Sequence, residues 1–221
     1  MATQYAFGQI ATNGLVLSLD AADKNSYIGS GTVWNDLSGN GYSGSLINTP
    51  TFNSANGGSI VFNGTNQYIS TPLNIDANPN TIGAWCYPTA ITSTAGYGIV
   101  LTDNGGWDKG FEINNSLWQI HTGNNLVSTG VLARVNIWQF ACISYTNSAT
   151  KFYVDGRLIY TGAAPVATAG SNVEIGRANY LGGAGSRWFV GRISSVQIYN
   201  RELSEAEVLN NFNAVKSRFG L

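Results

Sequence analysis

Charge is what this 221-residue chain has least of. Asp, Glu, Lys and Arg make up 10% of it, against roughly 25% in an ordinary soluble domain. Only 11 Lys and Arg are scattered along the chain, and the net charge is −1. No basic patch is available for a phosphate backbone, which excludes nucleic acid as a partner. No apolar run approaches the ~20 residues that span a bilayer, so no membrane partner is expected. Residues 1–10 have neither a basic start nor a continuous apolar stretch, so the expectation is no signal peptide and folding in a cytoplasm. Histidine is nearly missing too: His121 stands alone, and a Ser-His-Asp site would depend on it with no recognisable nucleophile motif nearby. There is no phosphate-binding Gly-x-x-x-x-Gly-Lys loop and no Cys/His metal spacing. The two cysteines, Cys86 and Cys142, each sit in a strand-like run. They read either as a disulfide across a sandwich or, better in a reducing compartment, as buried thiols. Nothing resembles a linker, which argues for one domain.

What is present is Gly (27 residues), 12% aromatics, and many Asn, Ser and Thr, the composition of aromatic-bearing strands joined by tight turns. Strand patterns fall at residues 14–20, 59–63, 67–70, 81–87, 98–102, 110–113, 116–121, 138–145, 150–154, 157–160, 172–175 and 188–199. Residues 21–50 read as a long turn-rich stretch. Asp155-Gly156 is the strongest hairpin signal, since a two-residue turn with both φ positive suits Asp-Gly. One helix is predicted at 204–219. Ser204 and Glu207 stand in capping-box register, and Leu203 and Val208 occupy the staple positions. Val208, Phe212, Val215 and Phe219 form one apolar stripe, while Lys216 and Arg218 suit the negative end of the helix dipole. The fold class is all-β: an antiparallel β-sandwich jelly roll over 14–221 with a C-terminal helix, preceded by an arm at 1–13.

Four ordered segments carry a family resemblance: Gly58–Ile69, Asn80–Pro88, Lys151–Gly156, and Ile175–Arg177 through Val208. They resemble the laminin-G-like jelly rolls of the concanavalin A-like lectin/glucanase superfamily, which holds both sugar binders and sugar-cleaving enzymes. The opening Gly14–Tyr27, with Trp34–Asn40, and the ending Ile198–Phe212 are similar to versions of this domain in tailed-bacteriophage virion proteins. That resemblance implies a non-enzymatic virion accessory protein (capsid decoration, fibre or tail), made in the host-cell cytoplasm. It further implies a homo-oligomer whose partners are other virion proteins and host-surface polysaccharide. A stand-alone carbohydrate-binding module and a glycan-cleaving enzyme are the alternatives.

The superfamily's glucanases place carboxylates at alternate positions of one strand, in a pattern like Glu-Ile-Asp-x-x-Glu. The nearest approach here is Glu112-Ile-Asn-Asn-Ser-Leu117, where Asn114 and Leu117 cannot supply the needed acid and nucleophile. Binding has better support, because sugar C–H faces stack on aromatic rings and their hydroxyls need Asn, Asp and backbone partners. Asp103, Asn104, Trp107 and Asp108 lie in a Gly-rich loop, with Trp107 the best platform. Trp118, His121 and Asn124 follow, and the segment 179–188, with Tyr180 and Trp188, reads as a neighbouring loop. Trp118 and Trp188 also read as core or sheet-surface aromatics, and His121 as a strand-end residue. Calcium recurs in the superfamily as a structural ion, and Asp20, Asp23 and Asp36 are the available ligands. Ser194-Ser195 stands where many relatives carry an acidic pair. No cofactor is required.

Overall fold

Period-two alternation turns one set of side chains inward along nearly every strand of this chain. The computed structural model describes residues 9–75, 77–93, 95–102, 108–123, 125–166, 171–179 and 187–221. In chain order its first strands are β1 (Leu15–Asp20), β2 (Val33–Trp34), β3 (Gly44–Ile47), β4 (Thr51–Asn53), β5 (Ser59–Asn63) and β6 (Tyr68–Asn74). Next come β7 (Asn80–Pro88), β8 (Tyr97–Thr102), β9 (Lys109–Asn114), β10 (Leu117–Thr122), β11 (Leu126–Leu132) and β12 (Gln139–Tyr145). The last are β13 (Ala149–Val154), β14 (Arg157–Ala163), β15 (Asn172–Ile175), β16 (Arg177–Ala178), β17 (Arg187–Trp188) and β18 (Val190–Tyr199), followed by α1 (Glu205–Val215) and a 3-10 turn (Lys216–Phe219).

Two eight-stranded antiparallel sheets face each other. The first runs β14-β13-β12-β7-β18-β5-β4, with β1 also paired to β18; the second runs β11-β10-β9-β8-β15-β6-β3-β2. Between them lies a core that includes Leu17, Leu19, Trp34, Phe62, Ile82, Phe111, Trp118, Phe152, Ile193 and Val196. Tyr145, from the first sheet, crosses this core: its hydroxyl donates to the His121 carbonyl (2.7 Å) and accepts from the Gly110 N–H (2.8 Å). Burial pushes its pKa well up, so it stays protonated as that donor.

The outer face of the first sheet is apolar as well, and the C-terminal helix covers it. Trp85 stacks on Phe212 (centroids 5.5 Å, 17°) and meets Phe219 at 4.5 Å, while Trp138 meets Phe219 at 4.4 Å. The capping box forms as read: the Ser204 side chain accepts from Glu207 N, and Glu207 Oε2 accepts from Ser204 N at 2.9 Å. Leu203 and Val208 are both buried. Arg218 does something other than complement the helix dipole, reaching across to hold Asp20 at 2.7 and 2.8 Å. Gln9 to Asn13, the described part of the segment read as an arm, lie along the helix. Ala11 N–H donates to Asn211 Oδ1 (2.8 Å), and Tyr199 Oη donates to the Ala11 carbonyl (3.0 Å).

Cys86 belongs to the inner core and Cys142 to the outer cluster beneath the helix, so their side chains leave opposite faces of adjacent strands. Both are free thiols, and burial pushes their pKa values up. Asp155 (φ 52°) and Gly156 (φ 75°) form the expected hairpin turn between β13 and β14. Residues 59–63 and 67–70, read as strands flanking a turn, enter different sheets. The turn-rich stretch 21–50 contains β2 and β3, and the edge strand β11 gave no clear periodic signal. No helix among the described residues is long and apolar enough to cross a membrane.

The Arg201 guanidinium hydrogen-bonded to Glu207, with the Ser204 contacts, holds the Glu207 carboxyl well below its usual value, at about 2. Its stabilising contribution is therefore complete above the unfolded carboxylate pKa and is lost as pH falls through about 2. Glu207→Gln is expected to flatten the decline in urea midpoint between about pH 5 and pH 2. Ser204→Ala is expected to cost about 1 kcal/mol at pH 7 in the same denaturation experiment.

Candidate functional site

The outer face of the second sheet is built by the alternation that fills the core. Phe111, Ile113, Trp118 and Ile120 point inward, so Glu112, Asn114, Gln119 and His121 point outward. One row of register partners crosses this face from Ser45 to Ser70, Glu174, Leu101, Gly110 and His121. Over it lies the short ribbon of β16 and β17, paired Arg177↔Trp188 and Ala178↔Arg187. The sheet is cut back to admit this ribbon. A Cβ on Gly98 would lie 2.2 Å from Ala178 N, and one on Gly96 would lie 2.7 Å from Glu112 Oε1.

Two Arg–Glu clamps fasten ribbon to sheet. Arg187 Nη1 donates to both oxygens of Glu112 at 3.0 Å, and Glu112, fully buried, also meets His121 Nε2 at 3.3 Å. Asn114 Nδ2 approaches Glu112 Oε1 at 3.4 Å. Arg177 Nε donates to Glu174 Oε2 at 2.7 Å, and Arg177 Nη2 donates to Glu174 Oε1. The Arg177 guanidinium then sits 3.7 Å above the Tyr68 ring and 5.2 Å from the Trp188 ring. Tyr68 and Trp188 are themselves in contact (5.9 Å, 52°), and both are half-buried. Two aromatic rings around a fixed guanidinium, on the face that Ser45 and Ser70 share, give an aromatic platform with a fixed polar group. Chemically that suits a polyhydroxylated ligand with C–H faces.

The sequence-predicted site residues separate on this frame. Asp103, Asn104, Trp107, Asn124 and Tyr180 lie outside the described residues. Trp118 is a correction: it is fully buried in the core against Phe111 and Phe152, because it shares the inward face with Ile120. His121 is also fully buried, as a partner of Glu112 and not as an open ligand contact. Asp108 is 1% exposed, and its carbonyl accepts from Gly123 N at 2.8 Å. Trp188 joins Tyr68 at the surface. Sequence reasoning missed Tyr68, Glu174, Arg177 and Arg187; the Glu174/Arg177 spacing is their only local trace.

The three carboxylates offered for calcium do not converge. Asp20 is neutralised by Arg218. Asp23 accepts from Asn25 in a turn. Asp36 accepts from the N–H groups of Ser18, Ser38 and Tyr42 and from the Ser38 hydroxyl, contacts that outweigh burial and leave its pKa lowered. Among the described residues no group of three or more His, Cys, Asp or Glu is placed to hold a metal. Ser194, from the pair read as replacing acidic residues, donates to the Gly58 carbonyl at 2.7 Å.

A two-sheet jelly roll with a polar, aromatic outer face defines a lectin-like class of domain. The family model described as the concanavalin A-like lectin/glucanases superfamily matches residues 63–209. The chain belongs to that superfamily. No protein among the curated ones matches the sequence. Among solved structures, the binding domain of botulinum neurotoxin DC in complex with SialylT superposes with a TM-score of 0.69 at 15% identity, over 92% of this chain and 52% of that one. The binding domain of Paraclostridial Mosquitocidal Protein 1 gives 0.68 at 20% identity, with 92% and 52% covered. Domain 4 of AbnA, an extracellular arabinanase from Geobacillus stearothermophilus, in complex with arabinotriose, gives 0.65 at 18% identity, with 89% and 97% covered. The chain thus spans about half the length of the toxin domains and nearly all of the arabinanase domain. At these identities the likeness establishes the fold alone.

Removing one partner of a buried ion pair strands the other. Arg187→Met is expected to destabilise the domain by about 3 kcal/mol in urea denaturation, and adding Glu112→Gln should recover part of that loss.

Proposed function

We propose that this domain binds glycans without cleaving them, through the outer face of the second sheet around Tyr68 and Trp188. The carrying observation is the Tyr68–Arg177–Trp188 cluster, held rigid by Glu174. Pre-organised rings and a fixed guanidinium let a sugar stack and hydrogen-bond with little ordering cost. Two of the structural neighbours, the arabinanase domain with arabinotriose and the neurotoxin domain with SialylT, agree with a saccharide as ligand class. The non-enzymatic part is supported by Glu112. Both its oxygens are engaged by Arg187, and it is buried, which suits neither an acid nor a nucleophile facing a glycosidic bond.

The finer reading is a virion accessory protein that holds a tailed phage near host-surface polysaccharide. It is favoured by the resemblance of Gly14–Tyr27 and Ile198–Phe212 to phage virion domains. The structural neighbours above are toxin and arabinanase domains, so it rests on those segments alone. Capsid and tail genes beside its own would support this placement, and a cluster of secreted polysaccharide-processing genes would overturn it.

On a broad glycan array that includes arabinotriose and sialylated glycans, the protein is expected to bind at least one class. Trp188→Ala and Tyr68→Ala should each weaken that binding about tenfold or more. No reducing ends should be released from the bound polysaccharide. Silence across the array, or binding indifferent to both substitutions, would sink the reading.

A further inference from the structure

At one end of the sandwich, away from the Tyr68–Trp188 face, a cavity of about 470 Å³ opens between the end of β6, the start of β7 and the β1 edge. Its size lies within the range of small-molecule sites. One wall is apolar, formed by Val16 and Leu73 with the ring of Tyr42, all packed on the core. The other carries the carboxamides of Asn78, Asn80 and Asn200. No charged side chain is among the described residues that line it.

Hydrogen bonds among the described residues hold the polar wall. Asn80 is 2% exposed, and its Nδ2 donates to the carbonyls of Ile75 (3.2 Å) and Ala77 (2.7 Å). Lys109 Nζ donates to the same two carbonyls at 3.0 and 3.4 Å. Two carbonyl acceptors fix which end of the Asn80 amide is nitrogen, so its Oδ1 is the atom left over. That oxygen and Asn78 Oδ1 are buried and accept from no donor among the described residues. Both oxygens are closed off from the cavity as it stands, an unfavourable position for an acceptor without a donor. The carboxamides of Asn78 and Asn200 and the Tyr42 hydroxyl also make no hydrogen bond within the chain among the described residues. Rotation about the last torsion of an Asn side chain is soft, so Asn78 can turn its oxygen to an arriving donor.

We infer that this cavity is a second saccharide subsite, which takes a single neutral sugar residue. The Tyr42 ring and Leu73 meet the C–H face, and the hydroxyls pair with the Asn78 carboxamide, once turned, and with Asn200 at the rim. A neutral sugar is favoured over a sialic or uronic acid, because no described lining residue offers a cation to a carboxylate. The subsite is independent of the sheet face, and either can fail without the other.

The test is saturation-transfer NMR on the whole chain with L-arabinose, D-galactose, D-glucose and N-acetyl-D-glucosamine, each at about 10 mM, where millimolar affinities register. At least one sugar is expected to give a signal, and any signal from N-acetylneuraminic acid should be indifferent to Ala77→Trp. Ala77 lines the cavity from an exposed position, so Ala77→Trp obstructs it without opening the core. The signal should fall at least about fivefold in Ala77→Trp and be unchanged in Trp188→Ala. Asn200→Ala, also at an exposed position, should lower it too and serves if Ala77→Trp does not fold. Silence with all four sugars overturns the proposal. So does a signal that survives both cavity substitutions and disappears in Trp188→Ala, which assigns the sugar to the sheet face instead.

Discussion

Everything in this domain hangs on one strand that is buried on both faces. β18 pairs with β1, β5 and β7. On its inner side Ile193, Val196 and Ile198 enter the core; on its outer side Tyr199 lies under the helix. A strand in that position has no solvent side on which to place a charge, and the sequence Val-Gly-Arg-Ile-Ser-Ser-Val-Gln-Ile-Tyr carries one charged residue near its start. That Arg192 lies 3.9 Å over the Tyr87 ring, so even this charge is set against an aromatic surface. The helix is then obligatory: without it, Trp85, Trp138 and Phe140 would expose a large apolar patch on the outer face.

Scarcity of charge gives the remaining charges a structural task. Six of the twelve acidic side chains pair with six different cations among the described residues, as Asp20–Arg218, Glu112–Arg187, Asp155–Arg134, Glu174–Arg177, Glu202–Lys151 and Glu207–Arg201. Several of these pairs join segments far apart in sequence, tail to first strand or ribbon to sheet. Exposed pairs such as Arg134–Asp155 add little stability. The buried Glu112–Arg187 pair is different, because it sets where the ribbon lies and hence where Trp188 points. A carboxylate used as a fastener, such as Asp20 held by Arg218, is not free to serve as a metal ligand.

The helix was legible in the sequence because every signal for it is local: a cap, a staple and a stripe all lie between Leu203 and Phe219. Trp118 was ambiguous, although its alternation with Gln119 and Ile120 already put it on the apolar side of β10. The Tyr68–Trp188 cluster was not legible, since no local pattern links two rings 120 positions apart; only the sheet order brings β6 beneath the ribbon. β11 escaped notice for a related reason. An edge strand with half-exposed Ser, Thr and Gly satisfies its backbone through β10 and needs no strong apolar period.

The two proposed sugar sites share β6. Tyr68 starts that strand and Asn74 ends it at the cavity, six residues on and with the same parity. At about 3.3 Å per residue they lie roughly 20 Å apart. A glycan chain of a few residues can therefore engage both at once, with the second contact made at the high effective concentration set by the first. The face offers cations and an extended platform, suited to the interior of a chain. The cavity is a half-open recess, with no charged side chain among the described residues that line it and room for one residue, suited to an end. Selectivity for a neutral terminus on a longer polysaccharide then follows from the pairing of the sites and from neither alone.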